Sequence, residues 1–267
     1  MDIHYTDAEY WGDFLLPLTC TNINGDKYQC NNPLILVPIT EEFISMYLSK
    51  DQPRLVQCML RILETHDIDL VNKDFFVKIS SISGKDTTFV EDYYDDVTEF
   101  WAAMNAQNKK LICKSVEDLC THILASERIA EYIQHDKYFV FRQWISYGVE
   151  DEYRCFIKNK QLVAISQYEY GNALPEHKIQ PELVTKMIKN YVDQVATRIP
   201  YDDVVLDVAV YDTNVYFIEF NSFGLESDTD AGLYDWANDC DLLNGKHNEV
   251  DIRLYDPKWI EAKYAVN

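Results

Sequence analysis

The chain has 267 residues, 47% of them hydrophobic, with 45 Asp+Glu against 24 Lys+Arg and a formal charge of −21. That length and apolar content suit one large domain or two lobes sharing a cleft. The charge argues against a general surface for nucleic acid or anionic membrane, because counterion release there needs Lys and Arg to replace the ions around phosphates. A basic protein partner is compatible with it.

The opening residues, MDIHYTDAEY, lack the basic and apolar regions of a signal peptide, and no apolar run is long enough to span a bilayer. The expectation is a soluble, cytoplasmic protein. Seven cysteines without a Cys-x-x-Cys pair sit mostly in apolar stretches, where a thiol behaves as a small hydrophobe. The six histidines show no zinc-type spacing.

In chain order, the apolar run Leu34 to Ile39 ends in Thr40-Glu41-Glu42, and Phe43, Met46 and Tyr47 continue at helical spacing. Asp51 and Pro53 open a second helix carrying Leu55, Met59, Ile62 and Leu63. Phe75 to Ile79 reads as a strand, Ser80 to Asp86 as a small polar loop and Thr87 to Val90 as a second strand. The acidic Glu91 to Asp96 reads as a solvated surface. Ser115-x-x-Asp118 is a capping-box pattern before helices between Ser115 and Gln134.

A β-rich block follows: Tyr138 to Trp144, Tyr153 to Lys158 and Leu162 to Gln167, the last two joined at Asn159-Lys160-Gln161. Pro181 starts a helix with Val184, Ile188, Tyr191, Val192, Val195 and Ile199 on one side, and Pro200 stops it. Strands Val204 to Val210 and Val215 to Phe220 pair across a short turn. This order predicts an α+β fold: two lobes of mainly antiparallel sheet, helices outside and a cleft between them. Residues 1–72 read as an N-terminal cap region, 73–140 as one lobe and 141–267 as the other, within one compact unit.

Val204-Val205-Leu206-Asp207-Val208-Ala209-Val210 is apolar at every position but one, so Asp207 requires a cation or hydrogen bonds. A three-residue connection Asp212-Thr213-Asn214, with Asn214 left-handed, sets Asp207 opposite Glu219 on a face shared with Asn221. A two-residue Thr213-Asn214 turn sends the two acids to opposite faces. In the first register, two carboxylates and an amide oxygen form a ligand set for a hard cation such as magnesium on substrate phosphates. The other reading has Glu219 and Asn221 facing water on an open sheet. Lys78, Arg142 and Arg154 are likewise set into apolar strands, where they either pair with the acids or hold a polyphosphate.

These motifs resemble those of the cell division cycle protein 123 family. Phe75-Phe76-Val77-Lys78-Ile79-Ser80 through Lys85-Asp86 is similar to the family's lysine-bearing strand and loop. Arg142-Gln143-Trp144, Glu152-Tyr153-Arg154-Cys155-Phe156 and Ala164-Ile165-Ser166-Gln167 match three further segments. Asp207 with Glu219-Phe220-Asn221-Ser222-Phe223-Gly224 matches its acidic motif. The resemblance implies an ATP-grasp fold, whose N-lobe and C-lobe are the two above, with ATP and Mg2+ as cofactors. It places magnesium on Asp207, Glu219 and Asn221. It puts phosphates on Lys78 and Arg154, adenine against Gln143, Trp144 and Ile145, and adds Ser80, Lys85, Asp86, Arg142, Ser166 and Gln167 to the nucleotide site. Val77, Ser81, Glu219 and Tyr168 depart from the family's proline, tryptophan, aspartate and arginine, and the stretch from Gly224 to Thr229 is longer.

The function implied is an assembly factor for eukaryotic translation initiation factor 2, binding its γ subunit and promoting joining to α. The alternative is an ATP-dependent carboxylate–amine ligase, since ATP-grasp proteins commonly activate a carboxylate as an acyl phosphate. A third reading is a scaffold that has lost nucleotide binding.

Overall fold

The structure, a computed structural model, describes residues 7–31, 34–70, 72–87, 96–175, 178 and 180–264. A small hairpin comes first, β1 (Thr19–Thr21) and β2 (Lys27–Gln29), turning through Asn24-Gly25 with Gly25 at φ +91°. β3 (Leu34–Pro38) leads into α1 (Glu41–Leu48), whose free Phe43 N–H is capped by the Thr40 side chain. α2 (Gln52–Thr65) starts at Asp51 with a proline in its first turn. β4 (Phe75–Ile79), α3 (Val97–Lys109) and β5 (Ile112–Cys113) follow. Next come α4 (Val116–Ala125), capped by Ser115, α5 (Glu127–Tyr132), capped by Ser126, and β6 (Tyr138–Gln143).

The C-terminal half is built from β7 (Glu152–Lys158), β8 (Gln161–Gln167), α6 (Pro181–Val195), β9 (Val204–Tyr211) and β10 (Asn214–Asn221). α7 (Cys240–Leu243), β11 (Asp251–Arg253) and α8 (Pro257–Tyr264) complete it. The expected strand from Thr87 begins instead as a 3-10 turn, Lys85–Thr87. Its remainder, Thr88 to Val90, and the acidic Glu91 to Asp95 lie outside the described residues. α6 ends at Val195, short of Ile199, because the Val195 carbonyl takes both Arg198 and Ile199 N–H in a tighter last turn.

Two larger sheets form the two lobes. One has the order β3-β6-β4-β5 and is antiparallel throughout; β3 therefore extends the lobe sheet from the first 72 residues. Its covered face packs Phe43, Leu55, Met59, Leu119 and Ile123 from the helices against Phe75, Phe139 and Phe141. The other sheet has the order β10-β9-β7-β8-β11, antiparallel except for β11 beside β8. The α+β, mainly antiparallel architecture is the one expected from the sequence.

Alternation along β9 divides its side chains between two environments. Val204, Leu206 and Val208 join the core built on Ile188, Tyr191 and Val195 of α6. Val205 and Asp207 take the opposite face, where Asp207 is 1% exposed. The expectation of a strand covered on both faces is met.

Candidate functional site

The cleft between the lobes depends on one irregularity in β10. β9 and β10 are joined by a two-residue turn, Asp212-Thr213, between the paired Tyr211 and Asn214, with Asp212 left-handed at φ +54°. The expected three-residue connection with a left-handed Asn214 is corrected on this point. Continued without interruption, that register would set Glu219 against Leu206, on the core face. A bulge between Phe217 and Glu219 adds one residue and re-aims the strand, so Glu219 pairs with Asp207 and Asn221 with Val205. Phe217 and Phe220 both enter the core, packing on Trp11 and Phe14 with ring centroids 4.8–6.1 Å apart.

Arg142 braces this bulge. From β6 of the other lobe its guanidinium donates to the carbonyls of Ile218 at 2.7 Å and Phe217 at 2.8 Å. A planar fork suits two adjacent acceptors, and the bulge leaves two carbonyls to satisfy. On the outer edge of β10, the Phe217 N–H donates to the Cys30 carbonyl and the Tyr28 hydroxyl bonds Val215.

Asp207 accepts from Arg154 Nε at 2.9 Å and Nη2 at 2.7 Å, and from Asn221 Nδ2 at 2.9 Å. Arg154 also donates to the Asp230 carbonyl at 2.6 Å and lies 5.0 Å from the Tyr168 ring centre. Lys78, 7% exposed, reaches Glu219 at 3.4 Å across the cleft and lies over Trp11. Burial raises the Asp207 carboxyl above its ordinary range against the charge of Arg154. Burial also acts to raise Glu219, but Lys78, Lys85 and Arg154 outweigh it and hold that carboxyl low. Burial raises Glu152 to about 7 against Lys85, with Asp207 and Glu219 adding to the rise.

The cleft, of about 710 Å³, is lined by Lys78, Lys85, Arg142, Gln143, Trp144, Ile145 and Glu219 among the residues expected from the sequence. It continues into a wider groove of about 1990 Å³ bordered by Lys78, Arg154, Tyr168, Glu219 and Asn221. Asp207 lies beneath, tied to Arg154 and Asn221. Four expected residues are engaged elsewhere. Ser80 directs its hydroxyl at the Tyr138 carbonyl. Asp86 caps α5, accepting from the Ser126 hydroxyl at 2.7 Å and the Arg128 N–H at 3.2 Å. Ser166 accepts from Leu233 N–H, and Gln167 bridges the carbonyls of Glu169 and Asn172 to the Tyr255 N–H.

Glu152, Tyr147 and Trp11 line the cleft but were not singled out as site residues. For Glu152 the signal was present: it stands two residues before Arg154 in a strand, hence on the same face.

Two carboxylates and an amide oxygen on facing strands are hard oxygen donors, and their chemistry fits magnesium. Three cations, Lys78, Lys85 and Arg154, stand around them at the junction of the cleft and groove. Such a set neutralises a polyphosphate from one side and its metal from the other.

A family model described as D123 matches residues 101–265. A CDC123-like protein of Acanthamoeba polyphaga mimivirus is 29% identical over 258 residues, covering 91% of this chain and 72% of that protein. The translation initiation factor eIF2 assembly protein of Schizosaccharomyces pombe is 28% identical over 134 residues, covering 48% of this chain and 40% of that one. The solved structure of C-terminally truncated Cdc123 from S. pombe superposes with a TM-score of 0.63 at 18% identity, over 85% of this chain and 90% of that one, which shows a shared fold. The chain belongs to the D123 family, that of CDC123, and shares the fold of Cdc123.

Proposed function

We propose that this chain is an ATP- and magnesium-binding assembly factor for eukaryotic translation initiation factor 2, acting in the cytoplasm by binding the γ subunit and promoting its joining to α. The observation that carries the nucleotide part is the pairing of Asp207 with Glu219 beside Asn221, at a cleft that also presents Lys78, Lys85 and Arg154. The partner comes from the names of the relatives and from the family resemblance.

Asp207, Glu219 and Asn221 would hold magnesium, which when bound neutralises phosphate charge. Lys78, Lys85 and Arg154 would bind the phosphate oxygens, and Gln143 to Ile145 would border the base. The acids and cations engage one another. Lys78 and Arg154 would turn from the carboxylates to phosphate oxygens, and Asp207 and Glu219 would then be available to a metal.

Lys78 and Arg142 on one sheet reach Glu219 and the bulge on the other, so whatever occupies the cleft biases how the lobes sit. Nucleotide then selects a partner-competent arrangement rather than undergoing a chemical step. Calorimetric titration of folded protein with ATP and magnesium tests this, followed by capture of the isolated γ subunit with and without ATP. Binding that weakens in Asn221→Ala supports the reading; no ATP binding by folded protein contradicts it.

The ligase reading draws on the groove beyond the carboxylates, where an acceptor would bind. Release of ADP dependent on an added substrate would favour it over the assembly factor.

A further inference from the structure

The hairpin covering the edge of β10 carries a pair of thiols in contact. Cys20 of β1 and Cys30, one residue beyond β2, share an S–H···S hydrogen bond of 3.0 Å between their sulfurs. Cys20 pairs with Tyr28, and the Cys30 N–H donates to the Leu18 carbonyl, so the sulfurs meet across the hairpin. The sulfurs stand about 1 Å outside the length of an S–S bond. Both are at most 3% exposed, in the core that also holds Tyr191. The buried Tyr191 hydroxyl in this core has no hydrogen-bond partner among the described residues. The hydrogen bond shared with Cys30 lowers the Cys20 thiol against burial, and the positive charge of Arg198 adds to that.

We propose that Cys20 and Cys30 are a redox-responsive dithiol, a site of reversible disulfide formation that staples the hairpin bracing the β10 bulge. The oxidant is of the hydroperoxide class. The Cys20 thiolate attacks the peroxide oxygen, giving a sulfenic acid and one water. The Cys30 sulfur then displaces the sulfenic hydroxyl, forming the S–S bond and releasing a second water. Two thiols and one hydrogen peroxide thus become one disulfide and two waters, and a dithiol reductant restores the starting state.

The location gives the bond a consequence. The Cys30 carbonyl holds the Phe217 N–H at the start of the bulge, and Asn31 beside it ties the Leu18 N–H to the Phe14 carbonyl. Cross-linking the hairpin restrains the strand that aims Glu219 at the cleft. None of this depends on what the cleft binds.

The test treats the intact, folded chain with hydrogen peroxide, alkylates free thiols without denaturant and then in denaturant, and maps peptides by mass spectrometry. The expected result is a linked Cys20–Cys30 peptide pair, removed by dithiothreitol, with total alkylation over both steps falling from seven thiols to five. In Cys30→Ser the same treatment should leave a dimedone-reactive sulfenic acid at Cys20. Hydrogen exchange should show the Phe217 N–H slowed in the oxidised chain. Full alkylation of both cysteines after peroxide, or linked peptides scattered over other cysteine pairs, would overturn the proposal.

Discussion

Asp207→Ala removes the partner of a buried guanidinium. Arg154 gives two of its donors to that carboxylate, at 2.9 and 2.7 Å, and keeps only the Asp230 carbonyl at 2.6 Å. Breaking a buried pair from one side costs about 3–5 kcal/mol, because an uncompensated charge remains. The Tyr168 ring, 5.0 Å from the guanidinium, offsets about 1 kcal/mol of this, so about 3 kcal/mol is expected. That is a large share of a typical domain's 5–15 kcal/mol. Arg154→Met should cost less, since Asp207 retains Asn221 and can take up a proton. In the double variant no charge is stranded, and its cost should fall below the sum of the singles by about 2 kcal/mol. Urea denaturation of the four proteins, with unchanged m, reads these differences. A single-variant cost under about 1 kcal/mol, or strict additivity, would refute the reasoning.

Arg142→Met leaves the Phe217 and Ile218 carbonyls without their donor, for a loss of about 2–4 kcal/mol, and should weaken ATP binding by loosening the bulge. Denaturation and calorimetry on that variant check both, and unchanged ATP affinity would remove Arg142 from the account. Because Arg154 and Lys78 occupy the acids, magnesium without nucleotide should give no binding heat, while magnesium should tighten ATP about tenfold or more. Magnesium binding to nucleotide-free protein at these residues would contradict that.

Glu152, raised from 4.5 to about 7 by burial first, keeps a proton in the folded chain that the unfolded chain has released, so its contribution to stability falls between those values as pH rises. Glu152→Gln should therefore gain on the natural chain by up to roughly 3 kcal/mol between about pH 4.5 and 7. A difference in unfolding free energy that does not vary with pH would exclude this.

Much of the cleft was legible because its residues break a pattern. A single Asp in Val204 to Val210, a single Lys in Phe75 to Ile79 and Arg154 within Tyr153 to Ile157 are conspicuous where alternation and burial call for apolar groups. The bulge was not legible. Val215, Phe217 and Glu219 alternate as though on one face, and the shift at Ile218 goes with the packing of Phe220 on Trp11 and Phe14 and the two bonds from Arg142. The destination of Arg142 was hidden with it, since its acceptors are carbonyls created by the bulge.

Asp86 reads from sequence as a loop acid beside Lys85. Its role as a cap depends on α5 arriving from some 40 residues away. α3 was passed over because Asp96, which caps the N–H groups of Thr98 and Glu99, looked like the end of an acidic patch. The β1–β2 hairpin had its Asn24-Gly25 signal, but its three-residue strands are too short for alternation to show.

Crystals of the chain grown with ATP and manganese in place of magnesium test the central claim most directly, through an anomalous map that locates the metal. The account predicts a peak at Asp207, Glu219 and Asn221, with the base beside Trp144. Metal or nucleotide bound elsewhere, with Asp207 still on Arg154 and Glu219 still on Lys78, would contradict it.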